Sequence, residues 1–170
     1  MELPKLKKPL FIVCPECHIE HLIKKEFGHD ILFLSALGGE YLYGSIEEYE
    51  EVSQLIDQEN VNQVYIVNSC GCTFLDAVIS GNHFKDTPVE QTLNNLYFDH
   101  IEDLLPIEEH SERIRVLSEL FMKTQGQRLL NSPFLGSKIE SGELQCDGIF
   151  IDEHKELTPI DLLTTSSKRI

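Results

Sequence analysis

Five cysteines are the side chains of this 170-residue sequence with the strongest claim to chemistry. Cys14 and Cys17 form C-P-E-C, Cys70 and Cys72 form S-C-G-C, and Cys146 stands alone. An odd number of thiols makes a poor disulfide framework, whereas C-x-x-C and C-x-C pairs have the spacing of a metal or redox site. Tetrahedral zinc takes Cys and His. Four thiolates close a structural site, while three protein ligands and a water leave a catalytic one open. A redox C-x-x-C is the competing reading: Cys14 precedes a predicted helix, whose N-terminus lowers a thiol pKa. That reading leaves the second pair without a task. Cys146 lies inside a predicted strand and reads as core. His18 follows C-P-E-C and is within reach of a metal or its water. His21, His29, His83, His100, His110 and His154 read as solvated surface.

Thiols this far apart in sequence meet only if the fold brings them together. Residues 9–13, Pro-Leu-Phe-Ile-Val, form a short apolar run rich in β-formers and read as a buried strand. A helix is predicted over His18–Phe27, a second strand over Asp30–Leu34, and a glycine-bearing loop over Ser35–Gly44. Ser45 and Glu48 have capping-box spacing, opening a helix with Ile46, Tyr49, Val52, Leu55 and Ile56 on one face. Residues 63–67 form the third strand and lead directly into Cys70 and Cys72. Thr73 with Asp76, and Thr87 with Glu90, repeat the capping spacing, the latter with Pro88 at the N1 position it favours. Ser111–Lys123 is amphipathic, Pro133–Glu140 reads as a short helix, and Leu144–Asp152 as a fourth strand closing on a turn at Glu153–Lys155.

Strands alternating with helices predict an α/β fold with a mainly parallel sheet of about four to five strands, covered by helices on both faces. In such sheets strand one commonly lies between two and three, and ligands bind beyond the carboxyl ends where the strand order reverses. Cys14 ends strand one, and Cys70 and Cys72 follow strand three. All four thiols are therefore expected at one crevice.

With 14 Lys+Arg against 29 Asp+Glu, the formal charge is −15. That balance argues against a nucleic-acid partner or an anionic membrane surface, both of which need a basic footprint. The longest apolar runs, Leu10–Cys14 and Ile31–Leu34, fall far short of the ~20 residues of a membrane span. Met1–Lys8 is Lys-rich, but no apolar stretch long enough for a signal peptide follows. A single cytoplasmic domain over residues 1–170 is the expectation.

Taken as a series, these segments resemble the β-class carbonic anhydrase family in degenerate form, over about residues 10 to 160. Phe11–His18 (F-I-V-C-P-E-C-H) resembles the family's first strand ending in C-x-D-x-R. Phe33–Gly39 resembles its second strand and R-N-A-G-N loop, and Val64–Cys72 the strand that delivers H-x-x-C-G. Gly142–Asp152 is similar to G-x-L-x-V-H-G-W-x-Y-D. The resemblance implies a zinc ion, one per chain, at the carboxyl ends of strands one and three, at least a dimer (a homodimer is expected), and carbon dioxide or bicarbonate as the small-molecule substrate. In the family two Cys and one His hold the zinc, which lowers the pKa of its bound water so that hydroxide can attack carbon dioxide.

Carried over by position, Cys14 matches the first ligand, and Cys70 or Cys72 the second, depending on register. The family His becomes Val67 or Ser69, the Asp becomes Glu16, and the Arg becomes His18. Glu16 and His18 are thus the candidate catalytic pair, and Cys14, Cys72, Cys70 and Cys17 the candidate metal ligands. Replacing a neutral His by a thiolate adds negative charge and makes a bound water less acidic, and four thiolates leave no place for it. The expected function is a thiolate-rich zinc protein with carbon dioxide hydration weak or absent. A metal-free or closed-zinc descendant acting as a binding protein, and a thiol redox protein using Cys14 and Cys17, remain as alternatives.

Overall fold

Leu10 and Ile12 face one side of the central strand, and Phe11 and Val13 the other; all four are buried. A strand buried on both faces reads as a continuous apolar run rather than an alternating one, which is why residues 9–13 carry so clear a signal. The computed structural model describes residues 7–40, 45–82 and 86–163. Its five strands are β1 (Lys8–Val13), β2 (Leu32–Ser35), β3 (Val61–Ser69), β4 (Gln145–Ile151) and β5 (Leu157–Ile160), in the order β2-β1-β3-β4-β5. The first four are mutually parallel and β5 is antiparallel to β4. Strand one does lie between strands two and three.

Seven α-helices lie among the described residues: α1 (Glu20–Phe27), α2 (Ile46–Glu59), α3 (Thr73–Ile79), α4 (Pro88–Asp99), α5 (Ile101–Leu104), α6 (His110–Leu130) and α7 (Gly136–Glu140). One sheet face packs Leu10, Ile12, Val64 and Ile66 against Tyr49, Val52 and Ile56 of α2 and Met122 and Leu129 of α6. The opposite face packs Phe11, Val13 and Val67 against Ile19 and Ile23, the latter on α1. Beyond the carboxyl ends of β1 and β3, residues of α3, α4 and α6 form a third apolar cluster that includes Cys14 and Cys72.

The capping spacings have different outcomes. Ser45 Oγ accepts from the Glu48 N–H at 3.1 Å, and Thr87 with Glu90 forms the full reciprocal box. Thr73 is not a cap: Cys72 holds that position for α3, and Thr73 is its first helical residue, its buried hydroxyl without a partner among the described residues. Ile46 was expected on the inner face of α2 but is 64% exposed, because it lies in the first turn before the helix reaches the sheet. Helix α6 runs past Lys123 to Leu130, through Gly126, where a Cβ would come within 2.9 Å of Leu162. That glycine permits close packing rather than ending the helix. Strand β5 has Pro159 in a four-residue run; proline is tolerated there because β5 is an edge strand. The expected surface position of His83 and parts of the Met1–Lys8 and Ser35–Gly44 segments lie outside the described residues.

Candidate metal centre

Three elements deliver three thiols to one point. Val13 pairs with Val67, so Cys14, the next residue, leaves β1 beside the last residues of β3. Pro15 then starts a single 3-10 turn over Pro15–Cys17, and the Cys17 N–H donates to the Cys14 carbonyl at 3.1 Å. A turn this tight places the Cys17 side chain back beside Cys14. Beyond β3 the chain reverses through Cys70 and Gly71, closed by the Cys72 N–H donating to the Ser69 carbonyl at 3.1 Å. Cys72 is thereby folded back at the start of α3. The sulfurs of Cys14, Cys17 and Cys72 all lie within 4.8 Å of one another.

Cys14 and Cys72 are fully buried, and Cys17 is half-buried. The fourth polar contact is a backbone one: Gly38 N–H donates to Cys14 Sγ at 3.1 Å. Gly38 has a φ of +63°, and a Cβ there would come within 2.4 Å of Val89 Cγ2, so only glycine brings this amide so close. Asn68, fully buried on β3, holds the turn. With its amide nitrogen turned toward the carbonyls, it donates to Gly38 O at 3.2 Å and to Val67 O at 3.3 Å.

These contacts split the three thiols electrically. Cys14 is lowered to about 3, first because Cys17 and then because Cys72 donates to its sulfur, with the Gly38 and Glu16 amides adding to this against the effect of burial. The donors shift the other way. Cys72 is pushed up to about 11, chiefly because its proton is engaged by Cys14, and Cys17 is raised strongly for the same reason. Cys14 is thus the sulfur on which negative charge is favoured, facing two thiols and the Gly38 and Glu16 amides.

Tetrahedral zinc with Zn–S bonds of about 2.3 Å requires sulfurs roughly 3.8 Å apart. Three sulfurs already within 4.8 Å need only small rotations to close on such an ion. A preformed thiolate beside two thiols that must lose protons is a donor set suited to zinc or another soft cation.

The remaining candidates lie elsewhere. All four thiols were expected to share the site, but Cys70 stands outside the group. It sits on the turn after β3, half-buried against the α2 and α6 core, with its thiol raised by burial and by nearby Glu153 and Asp152. Cys70 is a central residue of the reversal that folds Cys72 back, and a C-x-C spacing by itself does not show which of the two thiols that turn directs to the site. Glu16 and His18 are exposed and outside the group, Glu16 on the 3-10 turn and His18 just after it with a φ of +50°. Cys146 is core, its thiol pushed up to about 12 by burial. Asn68 was passed over in the sequence; the one signal was an amide directly after the apolar stretch Val64–Val67.

A thiol centre at the carboxyl ends of β1 and β3, with helix α3 leaving from it, on a 2-1-3-4-5 sheet, can be compared with known structures as a whole. The chain has the β-carbonic anhydrase fold. It superposes on the β-carbonic anhydrase CafD of Aspergillus fumigatus with a TM-score of 0.75, at 18% identity, covering 94% of each chain. A tetrameric β-carbonic anhydrase from Sordaria macrospora matches with a TM-score of 0.73 at 17% identity, over 90% of this chain and 80% of that one. A carbon disulfide hydrolase matches more loosely, with a TM-score of 0.51 at 14% identity over 92% and 79%. No protein-family model and no curated protein matches the sequence. Among the described residues, no helix is long and apolar enough to cross a membrane.

Proposed function

We propose that this β-carbonic-anhydrase-like chain holds one zinc ion through Cys14, Cys17 and Cys72, and that carbon dioxide hydration there is weak or absent. The observation that carries this is the convergence of three sulfurs, two of them fully buried, beyond the carboxyl ends of β1 and β3, where the family resemblance implies a zinc ion. Zinc, when bound, supplies a Lewis acid whose water could be activated toward a small electrophile. Three thiolates exceed its charge by one and weaken that acidity, which argues against efficient hydroxide formation at neutral pH. The chain's own residues do the rest. Gly38 N–H neutralises part of the Cys14 charge, Asn68 keeps that amide in place, and the α3–α4–α6 apolar cluster excludes water from the buried side. Glu16 and His18, on the exposed side, are the groups we assign to proton handling at the mouth, and Glu16 is the residue nearest in sequence that could supply a fourth ligand.

The chain is further proposed to act as a homodimer in the cytoplasm. Apolar side chains at Leu37 (42% exposed), next to the Gly38 that touches Cys14, and at Ile46 (64% exposed) suit burial by a second copy. Three free thiols in mutual contact also fit a reducing compartment. The proposal is tested by stopped-flow carbon dioxide hydration on zinc-loaded protein. Turnover near that of efficient carbonic anhydrases would contradict it.

A second reading, a dithiol redox centre, has one observation in its favour: the low Cys14 pKa beside Cys17 in a single turn. Metal-free purified protein with a Cys14–Cys17 disulfide potential below the cytosolic poise would favour it over the zinc centre.

A further inference from the structure

On the side of the molecule formed by α2, the end of α4 and the second half of α6 lies an open groove of about 680 Å³. We propose that it binds an amphiphilic organic anion, a carboxylate head on an apolar body. Its volume is in the ~300–1,000 Å³ range of small-molecule sites. Tyr49, Leu96, Leu120 and Pro133 give it apolar walls, while Lys123 and Arg128 stand in a lining that includes no Asp or Glu, Arg128 being paired from beneath with buried Glu40. In a chain of net charge −15 with 29 acidic residues, a concave surface with no acid in its lining, where Lys123 has no described ion-pair partner and Arg128 is balanced by a carboxylate on its buried side, is a local reversal of sign.

Arg128 gives the groove a built anion reader. Its Nη1 donates to Glu40 Oε1 at 2.8 Å, and Thr92 Oγ1 donates to the same oxygen at 2.8 Å. The Glu40 side chain is fully buried, whereas Arg128 is 37% exposed. The carboxylate therefore fixes the guanidinium from behind, and Arg128 presents to the groove the donors that Glu40 does not use; a guanidinium has five. Guanidinium held in one orientation loses little entropy when a second carboxylate approaches in a bidentate pose. Lys123, with no carboxylate in ion-pair range among the described residues, adds a second positive charge, and Thr124 and Gln127 add neutral polar groups. His100 also lines the groove, with Asp103 Oδ2 3.7 Å from its Nδ1. One carboxylate fits two cations, and the wall residues account for an apolar body. None of these residues belongs to the thiol centre, so the inference stands apart from the zinc reading.

The test uses octanoate on the full chain, followed by calorimetry and by amide chemical shifts. Saturable binding is expected, near one per chain, with shifts centred on Tyr49, Leu96 and Lys123. Octanamide, identical but uncharged, should bind at least about tenfold more weakly, as a charge-assisted pair is lost. Lys123→Gln should weaken octanoate by about fivefold or more, and Arg128→Gln by more. Lys123→Gln removes no described ion pair, so it tests the site even if Arg128→Gln fails to fold. Absence of saturable binding, equal affinity for octanamide, or unchanged affinity in Lys123→Gln would each overturn the proposal.

Discussion

The backbone amide of Gly38 and the sulfur of Cys14 are 3.1 Å apart, joined across 24 residues of sequence by a turn that only glycine can make. This contact ties the β2–α2 connection to the end of β1. It places a fixed donor on the one thiol that already carries negative charge. The turn is held from β3 by Asn68, so three neighbouring strands contribute to the electrostatics of a single sulfur.

Substituting Gly38 tests that arrangement. Gly38→Ala puts a Cβ into Val89 and forces a side chain onto positive φ, with an expected cost of about 2 kcal/mol or more in stability. Urea denaturation checks it. The same variant should bind zinc more weakly than Gly28→Ala, which also has positive φ but an open surround and no contact with a thiol.

The thiols should separate cleanly by role. Cys14→Ser, Cys17→Ser and Cys72→Ser are each expected to lower zinc content sharply, with Cys14→Ser and Cys72→Ser also destabilising the cluster they are buried in. Cys70→Ser and Cys146→Ser should retain the metal. Glu16→Ala should retain it too, since Glu16 lies outside the group of sulfurs. Elemental analysis of the six proteins decides, and equal occupancy in Cys14→Ser and Cys146→Ser would remove Cys14 from the site.

Zinc affinity should depend steeply on pH. Cys14 is lowered to about 3 and is already a thiolate at neutral pH, whereas Cys72, pushed up to about 11, and Cys17, raised further, hold their protons. Binding therefore releases about two protons, and affinity should climb as pH rises from 6 to 8 by about ten- to a hundredfold per unit. Calorimetry in buffers of different ionisation enthalpy counts the protons. A pH-independent affinity would show that all three sulfurs are deprotonated before the metal arrives.

Much of this was legible in the sequence, and the failures have physical causes. The strand at residues 9–13 was readable because a parallel strand buried on both faces is a continuous apolar run, and those at 63–67 and 144–152 from their apolar stretches Val64–Val67 and Ile149–Ile151. The common order of doubly wound sheets, with strand one between two and three, then put Cys14, Cys17, Cys70 and Cys72 at one crevice. Cys70 was grouped with them because sequence spacing does not encode the direction of a side chain in a reversing turn. The Glu40–Arg128 pair, 88 residues apart, left no local trace, since neither residue sits in a motif and only the fold brings them together. About four to five strands were expected, but none was assigned to Leu157–Ile160, a four-residue edge strand that contains Pro159.

Arg128→Gln offers a check on that buried pair. It leaves the Glu40 carboxylate in the core with Thr92 as its one described partner, and should cost about 1–3 kcal/mol. The double variant Glu40→Gln/Arg128→Gln should recover part of the loss, because the buried charge is gone. Thermal or urea unfolding of both proteins measures this, and a double variant no more stable than the single one would contradict it.

The central claim is that three thiolates hold one zinc. Its most direct test is zinc stoichiometry by elemental mass spectrometry on untagged protein purified without chelator or added metal, followed by zinc-edge absorption spectroscopy. The expected result is about one zinc per chain with three sulfur neighbours near 2.3 Å and one lighter ligand. Metal-free protein with freely titrating thiols, or a zinc shell with fewer than three sulfurs, would contradict the account.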